Sequence, residues 1–198
     1  MPADFSGSWE RDYSRGEDVN GALRDLFGRL NRAAQQQRFP NDPRLSNAGT
    51  SMSQREVSSI VALARLAELI TRPDVLTISQ NAYEIRIERK DDFSMLCEFY
   101  DGVAKGTTSD YGTEVCGWDG DQLVSHLVLP DGLLVSHRFT VSPDTNYMRV
   151  ITTVSSSASR VPFTLNRFYR KFERPTSDFN CIETLSMKRV CSTGEIVP

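Results

Sequence analysis

Residues 121–154 read DQLVSHLVLPDGLLVSHRFTVSPDTNYMRVITTV and contain three runs of strand-forming residues separated by two short turns. Within the first two runs apolar and polar residues alternate, which is typical of strands that turn one face to a core. Pro-Asp-Gly at 130–132 suits a type I turn closed by a left-handed glycine, and the turn at 143–146 holds four residues. Turns this short join antiparallel neighbours, so the stretch predicts a meander.

Short runs of strand-forming residues separated by turn residues continue from residue 75 to residue 172, and a further short strand is predicted at 7–13. About nine strands are enough to close a sheet into a barrel and so remove its edges. We therefore expect a mainly β protein, built as a closed antiparallel meander barrel of eight to ten strands. The meander strands are expected near residues 75–80, 83–90, 93–100, 111–118, 121–129, 133–142, 147–155 and 163–172.

Two helices are predicted between the first strand and the meander. Ser-x-x-Glu at 14–17 and again at 53–56 has the form of a capping box, and each is followed by apolar residues at helical spacing. We expect helices at about 15–36 and 53–71, inserted after the first strand and covering one mouth or one flank of the barrel. The polar segment between them contains two prolines and is expected to be an exposed loop.

Length and charge bound the class of protein. A chain of 198 residues with 39% hydrophobic content suits one domain, expected at 1–175, with a tail at 176–198. The net charge of −3 excludes a cationic nucleic-acid interface and a polybasic membrane anchor. The longest mainly apolar run, 60–70, is far short of the ~20 residues that a membrane span needs. The sequence therefore predicts a soluble domain without a transmembrane segment.

Four cysteines are present, at Cys97, Cys116, Cys181 and Cys191. None belongs to a CxxC pair, and only two His residues exist, so a structural zinc site is not expected. A disulfide between Cys181 and Cys191 would close a loop in the tail and imply an oxidising compartment, such as the bacterial periplasm. The alternative is four reduced thiols in the cytoplasm, and spacing alone does not choose between the two.

The first and last strands carry short motifs of a known superfamily. Phe5-Ser6-Gly7-Ser8-Trp9 has the F-x-G-x-W form, and residues 166–171 contain the R-x-Y segment Arg167-Phe168-Tyr169. With these motifs, and with the order strand, helical pair, meander, the chain resembles the calycins, meaning lipocalins and fatty-acid-binding proteins, over residues 5–172. The resemblance implies a ligand-binding barrel in which the R-x-Y segment holds a ligand carboxylate.

The turns fix the register of four strands, and with it the face of each side chain. The Pro-Asp-Gly turn sets Ser125 opposite His137, and the four-residue turn sets His137 opposite Thr152. A two-residue turn at Asp-Gly earlier in the chain sets Glu114 opposite Ser125. We therefore expect these four residues to form one inward polar row, with His126 facing out.

An inward polar row in an apolar barrel has three interpretations. It is a satisfied structural network, the polar end of a ligand cavity, or an acid–base site. Ser125 lies between Glu114 and His137, which is the wrong order for a Ser-His-acid triad. His137 could serve as a haem ligand, but no further haem feature accompanies it, so neither a cofactor nor a metal is expected.

The same alternation predicts the anchors and walls of a ligand cavity. Arg167 and Tyr169 face inward on the last strand and suit an anionic head group. Alternatively, Arg167 or Arg170 stacks on Trp9 to close the base of the barrel. The walls are predicted from the inward residues of the other strands, namely Ile85, Ile87, Trp118, Leu127, Val135, Phe139 and Val150.

These predictions favour non-catalytic binding of a small, mostly apolar ligand, such as a fatty acid or another lipid. Two alternatives stay open. One is a barrel enzyme, an isomerase, cyclase or hydrolase that acts on an apolar substrate with His137 as its acid–base group. The other is an interaction protein whose barrel is filled by side chains. The size of the cavity separates the filled barrel from the rest, and the protonation of His137 separates the enzyme from the binder.

Overall fold

The computed structural model describes residues 3–36, 52–89, 94–100, 103–109, 112–129, 131–173, 180–183 and 189–192. It contains two helices, α1 (Val19–Gln36) and α2 (Gln54–Ile70). One sheet is formed by β1 (Gly7–Arg11), β2 (Val75–Gln80), β3 (Glu84–Arg89), β4 (Met95–Tyr100), β5 (Val103–Lys105), β6 (Thr107–Ser109), β7 (Gly112–Asp119), β8 (Gln122–Val128), β9 (Leu134–Val141), β10 (Tyr147–Ser155) and β11 (Phe163–Phe172). A separate hairpin is formed by β12 (Asn180–Glu183) and β13 (Arg189–Ser192).

The sheet is an antiparallel meander that curls into a nearly closed barrel, with the two helices inserted after the first strand. Its strand order is β5-β4-β3-β2-β1-β11-β10-β9-β8-β7-β6. The predicted fold class is therefore confirmed, and each predicted strand agrees with the structure within two residues at either end. The predicted strand count was too low, because the longer connection before β7 contains two short strands. Among the described residues, neither helix is long and apolar enough to cross a membrane.

The two extra strands lie at the seam, the junction where β4 and β7 approach each other. β5 pairs with β4 and sets Ala104 opposite Phe99, whereas β6 pairs with β7 and sets Thr107 opposite Glu114. Phe99 and Glu114 both face the interior. Directly opposed residues share a face, so Ala104 and Thr107 lie on the same face although they are three positions apart. In an uninterrupted strand they would face opposite sides. The chain therefore changes face at Gly106, the one residue between β5 and β6.

A disulfide between Cys97 of β4 and Cys116 of β7 joins the two sides of the seam, with their Cα atoms 5.8 Å apart. The structure thus differs from the alternative of four reduced thiols. No sequence motif links these two cysteines, and only closure of the barrel brings them together. In the tail hairpin, the backbone register sets Cys181 opposite Cys191. Their side chains lie outside the described residues, so that pairing stays a prediction.

The entry to α1 differs from the prediction. The helix begins at Val19, and Asp18 caps its first turn by accepting a backbone N–H at 2.8 Å. The capping box predicted at 14–17 does not form. Instead, the Glu17 carboxylate accepts the backbone and side-chain N–H groups of Asn166 at 3.1 and 2.9 Å, which ties the helix entry to β11. At the start of α2 the predicted cap residue Ser53 does cap the helix, since its hydroxyl accepts the backbone N–H of Glu56 at 3.2 Å.

Trp9 is fully buried in the core, as expected of its position in β1. The cation over its ring is Lys171, whose Nζ lies 5.4 Å from the ring centroid, rather than Arg167 or Arg170. The register explains this, since Lys171 lies directly opposite Trp9. Arg170 points outward and forms an ion pair with Glu10. The predicted stacking of an arginine on Trp9 was therefore wrong.

The core has two parts. The barrel cluster fills the barrel around Phe5 and Trp9, and the helix cluster packs Ile60 and Ala64 of α2 against the far ends of the strands. A polar layer, defined as Ser125, His137, Thr152 and Arg167, lies between them and is buried. Each of β8 to β11 contributes one residue to it, flanked by one residue of each cluster: Leu123-Ser125-Leu127, Phe139-His137-Val135, Val150-Thr152-Val154 and Tyr169-Arg167-Leu165.

Candidate functional site at the barrel mouth

Three members of the predicted inward row lie where the turns placed them. Ser125 is opposite His137, and His137 is opposite Thr152. Nδ1 of His137 and Oγ1 of Thr152 share a hydrogen bond of 2.9 Å. His126 is exposed, as predicted. The register derived from the Pro-Asp-Gly turn and from the four-residue turn is therefore confirmed.

The hairpin of β7 and β8 has a different register from the one predicted. Its turn occupies residues 120–121 instead of 119–120, and Cys116 rather than Glu114 lies opposite Ser125. A shift of two residues leaves every side chain on its predicted face. Glu114 therefore still faces inward, diagonally from Ser125, whose hydroxyl donates to Oε1 of Glu114 at 3.4 Å.

The electrostatics of this layer argue against acid–base catalysis. Burial, followed by the charge of Arg89, lowers the pKa of His137 to about 3. His137 is thus neutral at pH 7 and a weak base. Burial raises the pKa of Glu114, against the opposing effects of Ser125 and Arg89. Because Ser125 donates to Glu114, the hydroxyl–imidazole pair that nucleophilic catalysis requires is not formed.

The interior beside the polar layer leaves little room for a ligand. The cavity lined by His137, Thr152 and Tyr169 measures about 20 Å³, enough for one water molecule. Pockets for organic ligands are typically about 300–1,000 Å³. The predicted walls instead pack against one another: buried Ile85, Ile87, Phe139 and Val150 and half-buried Trp118 in the barrel cluster, and buried Val135 with half-buried Leu127 in the helix cluster.

Arg167 is only 2% exposed and is held by neutral oxygens. Its Nε donates to the Thr71 hydroxyl at 3.2 Å, and its Nη1 donates to the backbone carbonyl of Glu17. Within the described parts of the chain, its Nη2 makes no hydrogen bond and no carboxylate forms an ion pair with it. Burial, followed by the charge of Arg11, lowers the pKa of Arg167. Among the described residues the guanidinium therefore has no counterion, and its unbonded Nη2 is not a fully buried atom.

Arg167 opens onto a pocket of about 260 Å³, here called the mouth pocket, where the end of β1 meets the start of α1 and the end of α2. Arg11 also faces this pocket. Its guanidinium lies 4.5 Å from the centroid of the Tyr13 ring, and its Nη1 lies 3.8 Å from the Asp74 carboxylate. The lining consists of Arg11, Tyr13, Gly16, Glu17, Asp18, Val19, Asn20, Glu68 and Arg167.

Arg167 and Tyr169, predicted to share one head group, face different spaces. Tyr169 lines the small interior cavity and donates its hydroxyl to the carbonyl of Pro73 at 3.4 Å. Burial raises the pKa of this phenol. A ligand in the mouth pocket would therefore meet Arg167 without Tyr169.

Sequence reasoning missed several residues of these two spaces. Arg11 and Arg89 each lie two residues beyond an inward residue, Trp9 and Ile87 respectively. The strand alternation that identified Ile87 could therefore have been extended to both arginines. Glu68 lies on α2, and no strand periodicity applies to it. Thr71 follows the end of that helix, where position in the chain says nothing about which side chain it will reach.

Comparison with known proteins adds no relative. No family model matches the chain, and neither a curated protein nor a solved structure shows significant similarity to it. Among the described residues, no three His, Cys, Asp or Glu side chains are grouped so as to hold a metal ion. The calycin resemblance stays a prediction based on the two motifs and the order of the elements.

Proposed function

We propose that this protein binds a small organic acid without transforming it, and that the acid group enters the mouth pocket and pairs with Arg167. The observation that carries the proposal is the state of this guanidinium. The residue is only 2% exposed, it pairs with no carboxylate of the described residues, and its unbonded Nη2 is left accessible from the mouth pocket. A buried charge without a partner is costly. A ligand carboxylate in the mouth pocket supplies the missing counterion through a charge-assisted hydrogen bond.

The sizes of the two spaces favour a small acid over a long-chain lipid. The mouth pocket, at about 260 Å³, is slightly smaller than the usual range for organic ligands, about 300–1,000 Å³. An acyl chain inside the barrel, as the sequence suggested, would have to displace buried side chains such as Phe139 and Val150. The proposal therefore keeps the predicted anion and the predicted Arg167, but places the ligand outside the barrel cluster.

The packed interior also supports the alternative of a filled barrel whose partners are other proteins. That alternative accounts for the hydrogen bonds of Arg167 to Thr71 and to the Glu17 carbonyl, but not for the use of a charged group without a counterion among the described residues to make them. The enzyme alternative receives less support, since His137 is neutral and its ring is bonded to Thr152.

Isothermal titration calorimetry with 3-phenylpropionate and 3-phenylpropan-1-ol, which differ only in the acid group, tests the proposal. The protein should bind the acid and not the alcohol. Arg167→Met should lower the affinity for the acid by about 30-fold or more, as expected when a buried charge pair loses one member. Arg167→Lys should keep part of the affinity, because the charge remains.

Arg170→Met is the matched control, since Arg170 lies on the same strand but points outward. It should leave the affinity for the acid unchanged. Failure of the unsubstituted protein to bind the acid would overturn the proposal. So would equal affinities for the acid and the alcohol, which would identify Arg167 as a structural residue.

A further inference from the structure

The mouth pocket contains a second unpaired charge, of the opposite sign. Glu68 lies near the end of α2, is exposed, and lines the same pocket as Arg167. In the described part of the chain its carboxylate makes no hydrogen bond and no ion pair. The two groups lie too far apart to form an ion pair with each other, yet the negative charge of Glu68 still acts on Arg167 and raises its pKa against the effect of burial.

The remaining charged groups of the pocket are already engaged. The Glu17 carboxylate accepts two hydrogen bonds from Asn166, and the Asp18 carboxylate caps α1. The guanidinium of Arg11 lies over the Tyr13 ring and near Asp74. Glu17 and Asp18 each use one carboxylate oxygen in these contacts, whereas neither oxygen of Glu68 is hydrogen-bonded within the described residues. Arg167 and Glu68 are therefore the guanidinium and the carboxylate of the lining that we expect a ligand to satisfy first.

The overall charge of the pocket also favours a ligand that carries both a negative and a positive group. Its lining holds two guanidinium groups and three carboxylates, so the pocket has a formal charge of −1 when all are ionised. A simple acid brings a further negative charge close to the carboxylates, and like charges repel across such short distances. A ligand that carries an ammonium group beside its carboxylate leaves the total unchanged and gives Glu68 a partner.

We infer that the ligand of the mouth pocket is zwitterionic, an α-amino acid or a molecule that presents the same two groups, with its carboxylate on Arg167 and its ammonium on Glu68. This inference rests on the proposed function, because it assigns the same pocket and the same arginine. Arg167 is buried and Glu68 lies at the exposed rim, so the carboxylate enters first and the ammonium stays toward solvent.

The test is a set of calorimetric titrations with three compounds that share a phenyl group: phenylalanine, 3-phenylpropionate, which lacks the ammonium, and 2-phenylethylamine, which lacks the carboxylate. Phenylalanine should bind about fivefold or more tightly than 3-phenylpropionate, the gain expected of one ion pair at a partly exposed position. Glu68→Gln should remove that advantage, because it should lower the affinity for phenylalanine while the affinity for 3-phenylpropionate stays the same or rises. Glu88→Gln, at an exposed position of β3 outside the pocket, should change neither affinity.

The outcomes separate this inference from the proposed function. The inference of a zwitterionic ligand is overturned if 3-phenylpropionate binds as tightly as phenylalanine, or if Glu68→Gln leaves the ratio of the two affinities unchanged. The acid-binding proposal stands in either case. Failure of 3-phenylpropionate to bind overturns the acid-binding proposal, and with it the inference that rests on it. Tighter binding of 2-phenylethylamine than of phenylalanine would show that the carboxylates dominate the pocket, and it would also overturn both.

Discussion

Reduction of the Cys97–Cys116 disulfide should loosen the barrel at the seam. The two cysteines are 19 residues apart in the chain, and a loop of that length corresponds to about 3 kcal/mol of lost entropy in the unfolded state. For a chain of this size, about 3 kcal/mol lowers the melting temperature by roughly 6–12 °C. The effect should be local as well as global, because the disulfide joins strands that lack a continuous hydrogen-bonded ladder between them.

Thermal unfolding followed by circular dichroism, with and without a dithiol reductant, measures the global effect. A Cys181→Ala/Cys191→Ala variant removes the tail thiols and should respond to reductant as the unsubstituted protein does. A Cys97→Ala/Cys116→Ala variant should melt at the lower temperature and show no response of the barrel. Hydrogen exchange should rise more in β4 and β7 than in β9 and β10. An unchanged melting temperature on full reduction, or equal exchange in all four strands, would refute this role of the disulfide.

Two further predictions concern buried side chains. The folded-state pKa of His137, about 3, lies below its ordinary value of 6.5, so as the pH falls the unfolded chain is protonated first. The contribution of His137 to the free energy of unfolding should therefore be fully present above pH 6.5. It should fall as the pH is lowered toward 3, by up to ~1.4 kcal/mol per pH unit. Denaturant titrations should show His137→Gln flattening this dependence and exposed His126→Gln leaving it intact, and equal curves for the two variants would contradict the assignment. Lys171→Met should cost only ~0.5–1 kcal/mol, as expected of a cation–π contact at the surface, whereas Trp9→Ala should cost ~3–5 kcal/mol as a core truncation; a larger loss for Lys171→Met than for Trp9→Ala would show that the contact, rather than the burial, holds this corner of the barrel.

Strand alternation carried most of what the sequence could predict. On β8 to β11 it placed Ser125, His137, Thr152 and Arg167 on the inner face, and all four are buried. Strand register was harder to predict where the sequence allows a two-residue hairpin turn at either of two positions. The two-residue turn was predicted one residue too early in the chain, at 119–120 instead of 120–121. That error paired Glu114 with the wrong residue, although its face was right.

Contacts between segments distant in the chain could not be read from the sequence. The Cys97–Cys116 disulfide depends on how far the sheet curls before its ends meet, which no local pattern encodes. The mouth pocket depends on where α1 and α2 lie against the barrel, and on Glu17 reaching Asn166 instead of capping its own helix. For the same reason, Arg167 was recognised as a functional candidate while the pocket that it faces was not.

The location of a bound acid distinguishes binding in the mouth pocket from binding inside the barrel. Two-dimensional NMR of the unsubstituted protein, recorded as 3-phenylpropionate is added, reports where the acid lies. We predict that the acid binds in the mouth pocket. The signals of the Arg167 side chain, Arg11, and the backbone amides of Val19 and Asn20 should then shift with a common saturation curve, while those of His137 stay in place. Shifts centred on the interior instead, at His137 and Phe139, with Arg11 and the start of α1 unaffected, would contradict this prediction.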